Sequence, residues 1–270
     1  MSTGIYLFCL TPENPLPEVT GTGIDGEHPL LVEDIGNVAA IFSEVNLEDF
    51  TGPEAQARME DLAWIGPRAL RHEEVIMAVM EQVPVLPVRF GTVFSSFEAM
   101  KEPLRRHWDT WSMFFRDTAG KKEWSLRAYM DRPQVRSQIM AVRLAAEKEQ
   151  LDGLSPGKRY FLEQKIKGAV EREVTSWLKG IGEDILSKVQ KVSSSFSERR
   201  LLSREVTGMD DEMFFHGAFL VPDRSVDVLQ GLTGEWNRHH ETQGLSLELS
   251  GPWPPYHFAP VLERPIVDTG

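Results

Sequence analysis

The stretch Gly251-Pro252-Trp253-Pro254-Pro255-Tyr256-His257-Phe258 sets three prolines among three aromatic rings. Proline has no backbone N–H and a fixed φ, so this run is closed to a helix and to an ordinary central strand. It reads as a stiff, polyproline-like segment that holds large rings in place. A segment of that kind either plugs a domain surface or displays a surface to a partner.

Upstream, the pattern is mixed. Residues 3–10 read as a buried strand, followed by a loop over 11–28 rich in Pro and Gly. Runs 30–35 and 38–45 flank Gly36-Asn37, a tight hairpin turn. Residues 53–81 turn helical, with Gly66-Pro67 expected to split them into two helices. The segment 84–94 (Pro-Val-Leu-Pro-Val-Arg-Phe-Gly-Thr-Val-Phe) is extended again. Phe97, Met100, Leu104, Trp108, Trp111 and Phe115 then follow helical spacing on one face. That stripe reads first as core, and otherwise as a groove for a partner's apolar helix. The pattern fades at residues 118–122, the expected interdomain link.

The second half opens with strand alternation: Trp124, Leu126, Ala128 and Met130 point one way, Ser125, Arg127 and Tyr129 the other. A helix is expected over 133–150. Ser155-Pro156 supplies an N-cap and a first-position proline. They open a long helix with Leu162, Ile166, Val170, Val174, Trp177, Ile181, Ile185 and Val189 near one stripe, bent if anywhere at Gly180 and Gly182. Strand signal is weak at 192–202 and strong at 213–221. Asp223 is placed as the cap of another helix, ended by Gly244, before a last strand with Leu245, Leu247 and Leu249. This order is a split β-α-β arrangement with an enlarged helical first crossover. The expected fold class is α+β in two domains: an N-terminal α+β domain over 1–122, and a modified ferredoxin-like domain over 123–270 that carries the proline- and aromatic-rich tail.

Composition narrows the function. A length of 270 residues favours two domains, and 41% hydrophobic with 26% charged residues suits a globular protein with a sizeable core. No apolar run approaches a membrane span, and the N-terminus lacks a basic signal region. The single cysteine, Cys9, excludes an internal disulfide framework, makes the cytoplasm the default compartment, and reads as a small core residue. Residues 1–122 hold 10 Lys and Arg against 19 Asp and Glu, a net of −9 out of −12 for the chain. Such a balance gives no attraction for nucleic acid or an anionic lipid membrane, and neither is expected as a partner.

No motif assembles a catalytic centre. Gly21-Thr22-Gly23-Ile24-Asp25-Gly26 has dinucleotide-fingerprint spacing, but a proline-rich loop precedes it and a strand-like run follows, so a surface loop is the better reading. A small-molecule- or nucleotide-binding role through residues 21–26 stays as the alternative function. Gly157-Lys158 lacks the upstream glycine and following Ser or Thr of a P-loop. His72-Glu73-Glu74 lacks a second histidine, and His239 and His240 point about 100° apart on a helix, so no metal set is expected. No serine occupies a nucleophile elbow and no carboxylate pair stands out. Catalytic, cofactor-binding and metal-ligating residues are therefore expected to be none. Arg89 is the sharper oddity: it either emerges on the outer face of its apolar run or, if buried, needs a carboxylate.

Four segments in order, residues 84–94, 154–161 (Leu-Ser-Pro-Gly-Lys-Arg-Tyr-Phe), 201–205 (Leu-Leu-Ser-Arg-Glu) and 251–258, resemble the GvpL/GvpF gas vesicle family. The resemblance runs from the opening strand to about Phe258. It implies a two-domain α+β protein with a ferredoxin-like C-terminal part, without catalytic residues or a cofactor. It implies a minor component or assembly and nucleation factor of gas vesicles, the protein-walled gas compartments of prokaryotic cytoplasm. The implied partners are the small hydrophobic gas vesicle shell protein and other accessory vesicle proteins. Expected contact residues are Arg89 and Phe90 in the first segment and Trp253, Tyr256, His257 and Phe258 in the last. In the competing reading, both segments only cement the fold.

Overall fold

The computed structural model describes residues 2–147 and 154–262. Its chain divides into two compact units, Met1–Glu123 with Pro252–Gly270, and Trp124–Gly251. The proline-rich tail, expected with the second domain, therefore counts with the first unit. The reason is packing: Tyr256 joins one apolar cluster of that unit, and Ala259 and Leu262 join another.

Strand β1 (Thr3–Pro12) has no charged residue and is buried on both faces, so it reads as a continuous apolar run and sits at the centre of its sheet. It pairs antiparallel with β3 (Val38–Asn46), with Thr3 opposite Asn46 and Pro12 opposite Val38. The register shifts between Leu7 and Cys9. That extra residue changes parity, so Ile5, Leu7 and Leu10 face one cluster while Tyr6, Phe8 and Cys9 face the other. β2 (Leu30–Asp34) pairs outside β3 through a two-residue Gly36-Asn37 turn. Gly36 alone there has positive φ, +107°, as a II′ turn requires.

The other edge of β1 carries two short pieces of the 84–94 segment, β4 (Leu86–Pro87) and β5 (Val93–Phe94). The segment is thus not extended throughout. Val88 N donates to Phe8 O at 3.1 Å and Leu7 N to Thr92 O at 3.0 Å, while Phe90-Gly91 turns outward with Gly91 at φ +79°.

Helices cover both faces of this sheet, but they break elsewhere than expected. α1 (Pro53–Glu60) and α2 (Leu62–Met80) part at Asp61, whose carboxylate accepts from Ala63 N, and Pro67 lies inside α2. A residue in extended geometry with a capping oxygen breaks the chain here more effectively than a proline early in a helix that packing holds. Val75, Ile76 and Val79 of α2 bury against Tyr6, Phe8 and Cys9. The aromatic stripe forms two helices, α3 (Phe97–Arg106) and α4 (Trp108–Thr118), parted at His107. The break rephases the stripe: Met100, Leu104, Trp111 and Phe114 are buried, while Phe115 is only partly so. Trp111 Nε1 donates to Leu104 O across the break at 2.9 Å. The stripe packs mainly into the core of this unit.

The second unit is built on the sheet order β7-β8-β6-β9. The strands are β6 (Lys121–Met130), β7 (Ser195–Glu198), β8 (Glu212–Pro222) and β9 (Leu245–Trp253). Between β6 and β7 lie α5 (Arg132–Ala146), capped by Asp131 on Gln134 N, and the 35-residue α6 (Pro156–Gln190). The expected helix end at 148–150 lies outside the described residues. α6 spans about 52 Å at 1.5 Å per residue. It runs unbroken through Gly180 and Gly182, and buries Leu178 more deeply than Trp177 or Ile181. Its stripe packs with Leu126, Ala128, Phe219 and Val221 in one core. β7 and β8 are joined by a connection holding the short α7 (Arg204–Thr207), so the weak strand signal over 192–202 yields only four paired residues. α8 (Val226–His240) follows a 3-10 turn that begins at Asp223, which is thus not the helix cap.

β9 enters the proline-rich run as far as Trp253, a run read from sequence as closed to a helix and to an ordinary central strand. It is an edge strand, where proline's missing donor costs no ladder bond. Beyond it the chain turns rather than staying polyproline-like: Tyr256 N donates to Pro254 O at 2.7 Å and Phe258 N to Pro255 O at 3.2 Å.

Candidate partner-binding cleft

In the first unit, the outward turn of the 84–94 segment and the tail meet around a cleft with a cavity volume of about 210 Å³. Val88, Arg89 and Thr92 line one side; Tyr256, Val261 and Leu262 line the other. Its lining mixes polar and apolar surface, with Val261 64% exposed, and it holds a single cationic side chain. Arg89 is exposed and pairs with no carboxylate among the described residues. Thr92 Oγ1 fixes the turn by donating to Arg89 O at 2.6 Å.

Buried polar groups hold both walls. Gly91 N donates to Tyr6 Oη at 3.1 Å, Tyr6 Oη to His72 Nδ1 at 3.0 Å, and His72 Nε2 to Val88 O at 3.2 Å. Each group in this chain is satisfied only when the imidazole is neutral and protonated on Nε2. Burial pushes His72 down to about 4, opposed by its bond to the Val88 carbonyl. On the tail side, Tyr256 Oη donates to Glu73 Oε2 at 2.9 Å. Burial raises the Glu73 carboxyl, opposed by that bond and assisted by the charge of Glu123. The Glu123 carboxylate, 2% exposed, accepts from His257 N at 3.0 Å and from the His257 ring Nδ1.

Among the expected contact residues, Arg89 and Tyr256 come together in the cleft. Phe90 turns into an aromatic cluster, 6.1 Å from the Tyr6 ring and 5.7 Å from His72. His257 is spent on Glu123. Trp253, 38% exposed, and the half-buried Phe258 lie outside the cleft lining. Sequence reasoning missed Tyr6, Glu73 and Glu123. Glu73 follows the one histidine that anchors the wall, and Glu123 stands beside Trp124 at the head of an alternating strand. Their burial depends on contacts 134 and 183 residues away, which no local pattern carries.

The glycine loop is a packed surface turn. It leads into β2 rather than a helix, so no helix N-terminus faces it. Asp25 accepts from Glu27 N and His28 N, closing the loop on itself. A Cβ on Gly23 would lie 2.1 Å from Ser43 Oγ, so this glycine is needed for close approach to β3. No group of three or more His, Cys, Asp or Glu suited to a metal occurs among the described residues, and no described helix is long and apolar enough to cross a membrane.

Comparison with known proteins gives a consistent result. The family model for the gas vesicle synthesis protein GvpL/GvpF matches residues 4–260. Gas vesicle protein L of Streptomyces sp. (strain CB03234) is 24% identical over 98% of this chain and 96% of its own length. Gas vesicle protein F of Nostoc sp. (strain PCC 7120) is also 24% identical, over 97% of this chain and 100% of its own. In fold, the crystal structure of the gas vesicle protein GvpF from Anabaena sp. PCC7120 superposes with a TM-score of 0.72 at 21% identity. That superposition covers 96% of this chain and 99% of the other. A mixed helix-and-sheet chain matched this way from its opening strand to its tail has a gas vesicle-related role, and it belongs to the GvpL/GvpF family of gas vesicle synthesis proteins.

Proposed function

We propose that this protein is a gas vesicle assembly and nucleation factor that adheres to the small hydrophobic shell subunit and to other accessory vesicle proteins, and that it catalyses no reaction. It acts at the gas vesicle as a minor component, in the cytoplasm. The chemical need is direct. A subunit whose face will border gas must keep that face apolar, and before assembly such a face aggregates in water. A helper that covers part of it keeps the subunit available. We also read the second unit as a modified ferredoxin-like domain; the strand order β7-β8-β6-β9 with helices after β6 and β8 supports that reading.

The observation that carries the proposal is the convergence of two distant segments on one cleft that offers exposed apolar side chains and a lone exposed cation. A cleft of this size takes one or two apolar side chains of a partner, and Arg89 can bond a backbone carbonyl or carboxylate beside them. Co-expression with the shell subunit tests it. The double variant Arg89→Glu, Val261→Asp alters two exposed positions, so its melting temperature should stay within about 1–2 °C of wild type. Shell subunit retained on the tagged protein should fall at least tenfold. Undiminished retention by a normally folded variant would rule the cleft out as the contact.

A further inference from the structure

The second unit contains another surface that the cleft above does not explain, and it includes Leu201 and Arg204. One hollow, of about 670 Å³, lies over α5 and α6 and is edged by Arg132, Arg136, Lys167 and Arg204. A second, of about 480 Å³, runs between α6 and the β7–β8 pair over Leu178, Leu186, Phe196, Leu201 and Phe214. Arg132 lines both, so they adjoin at this residue. The result is one groove in this unit with apolar lining along its length; four cations gather at its basic end, and the end over Leu178 and Phe214, the apolar end, is also lined by Lys179, Glu183 and Glu198. Leu201 lies at the apolar end, 47% exposed, and Arg204 at the basic end.

The basic end is not neutralised from within. Arg132 is held by Glu212, at 2.7 and 2.8 Å, and by Glu171 at 3.3 Å. Arg136 shares Glu171 at 2.8 Å, and Arg204 reaches Glu212 only at 4.0 Å. Four cations thus face Glu171, Glu212 and, beside Arg204, Glu205, and Lys167 has no carboxylate partner among the described residues. A local surplus of positive charge stands out on a chain of net charge −12. Gly182 of α6 faces Phe215 at this end, where an added Cβ would make only ordinary contact with the ring, at 3.6 Å.

We propose that this groove docks an amphipathic protein segment whose apolar residues seat over Leu201 and Phe214 and whose carboxylates meet Arg136, Lys167 and Arg204. Apolar contact supplies the adhesion and the charge sets the direction in which the segment lies. The groove is separate from the Arg89 cleft, so either can fail without the other.

Fluorescence anisotropy with three labelled helical peptides tests this on the full-length protein. One has a leucine face and three glutamates at one end, the second has lysines in place of the glutamates, and the third has serines in place of the leucines. The first should bind at least tenfold more tightly than either other at 0.1 M salt. Leu201→Glu, and separately Arg136→Glu with Lys167→Glu, should each weaken it at least tenfold, while Arg89→Glu should leave it unchanged. Equal binding of the glutamate and lysine peptides overturns the proposal with no variant needed. So does a concentration-dependent dimer in sedimentation that is lost in Arg136→Glu, Lys167→Glu, since a second copy would then fill the groove.

Discussion

His72 shows how one buried side chain fixes the cleft wall. Its imidazole must stay neutral to accept from Tyr6 and donate to Val88, and its folded value is about 4 against 6.5 when free. Below pH 6.5 the unfolded chain takes up a proton that the folded chain refuses. Stability therefore falls as pH drops from about 6.5 to about 4, by roughly 3 kcal/mol, and this contribution levels off below that. Urea unfolding of wild type and His72→Gln at pH 7, 5.5 and 4 isolates it: the stability difference between the two should shrink by that amount as pH falls. A constant difference would show that the imidazole is not buried neutral. Gly23 offers a second check at this scale. Gly23→Ala must displace either the loop or Ser43, and should cost about 1–3 kcal/mol in the same assay. If the loop served only a nucleotide, the free protein would be indifferent to this change. The motif's central glycine has dinucleotide-fingerprint spacing, yet its physical reason is packing against Ser43 so close that an added Cβ would lie 2.1 Å from Oγ, a contact that only folding creates.

Among elements, the regular strands and helices were legible because burial imposes a period. β1 is uncharged, the β2–β3 turn needs a positive φ at Gly36, and α6 repeats apolar residues over about eight turns. Breaks were less legible. Pro67 and Pro103 lie inside helices, while Asp61 and His107 end them. A proline weakens one local bond, but where a helix ends depends on which break lets both pieces keep their apolar faces on the sheet. Trp111, bonded to Leu104 O across the His107 break, is the residue that selects this one. α6 gives a test of helix reasoning. Gly180 is exposed, and a Cβ there meets nothing within 4 Å. Gly180→Ala should raise stability by about 0.5–1 kcal/mol in thermal melting, since alanine is the better helix former. A loss would mean that the helix bends there in a way the sequence first suggested.

At the scale of the molecule, the sequence carried the family through four ordered segments, and the α+β class through its alternation of periods. It did not carry the site. Arg89 and Tyr256 are 167 residues apart, and their meeting depends on Glu73 and Glu123, carboxylates indistinguishable in sequence from the other acidic residues. Adhesion to a vesicle subunit leaves no signature of the kind that chemistry leaves, because exposed apolar side chains and one cation have no required spacing. The proposed function depends on adhesion through the Arg89 cleft. Its most direct test is vesicle formation in a host that carries the gas vesicle genes but lacks this one, read as light scattering that collapses under pressure. Wild-type protein should restore the collapsible signal, and Arg89→Glu, Val261→Asp, accumulating to the same level, should restore less than a tenth of it. Normal vesicles in the deletion strain, or full rescue by the variant, would contradict the account.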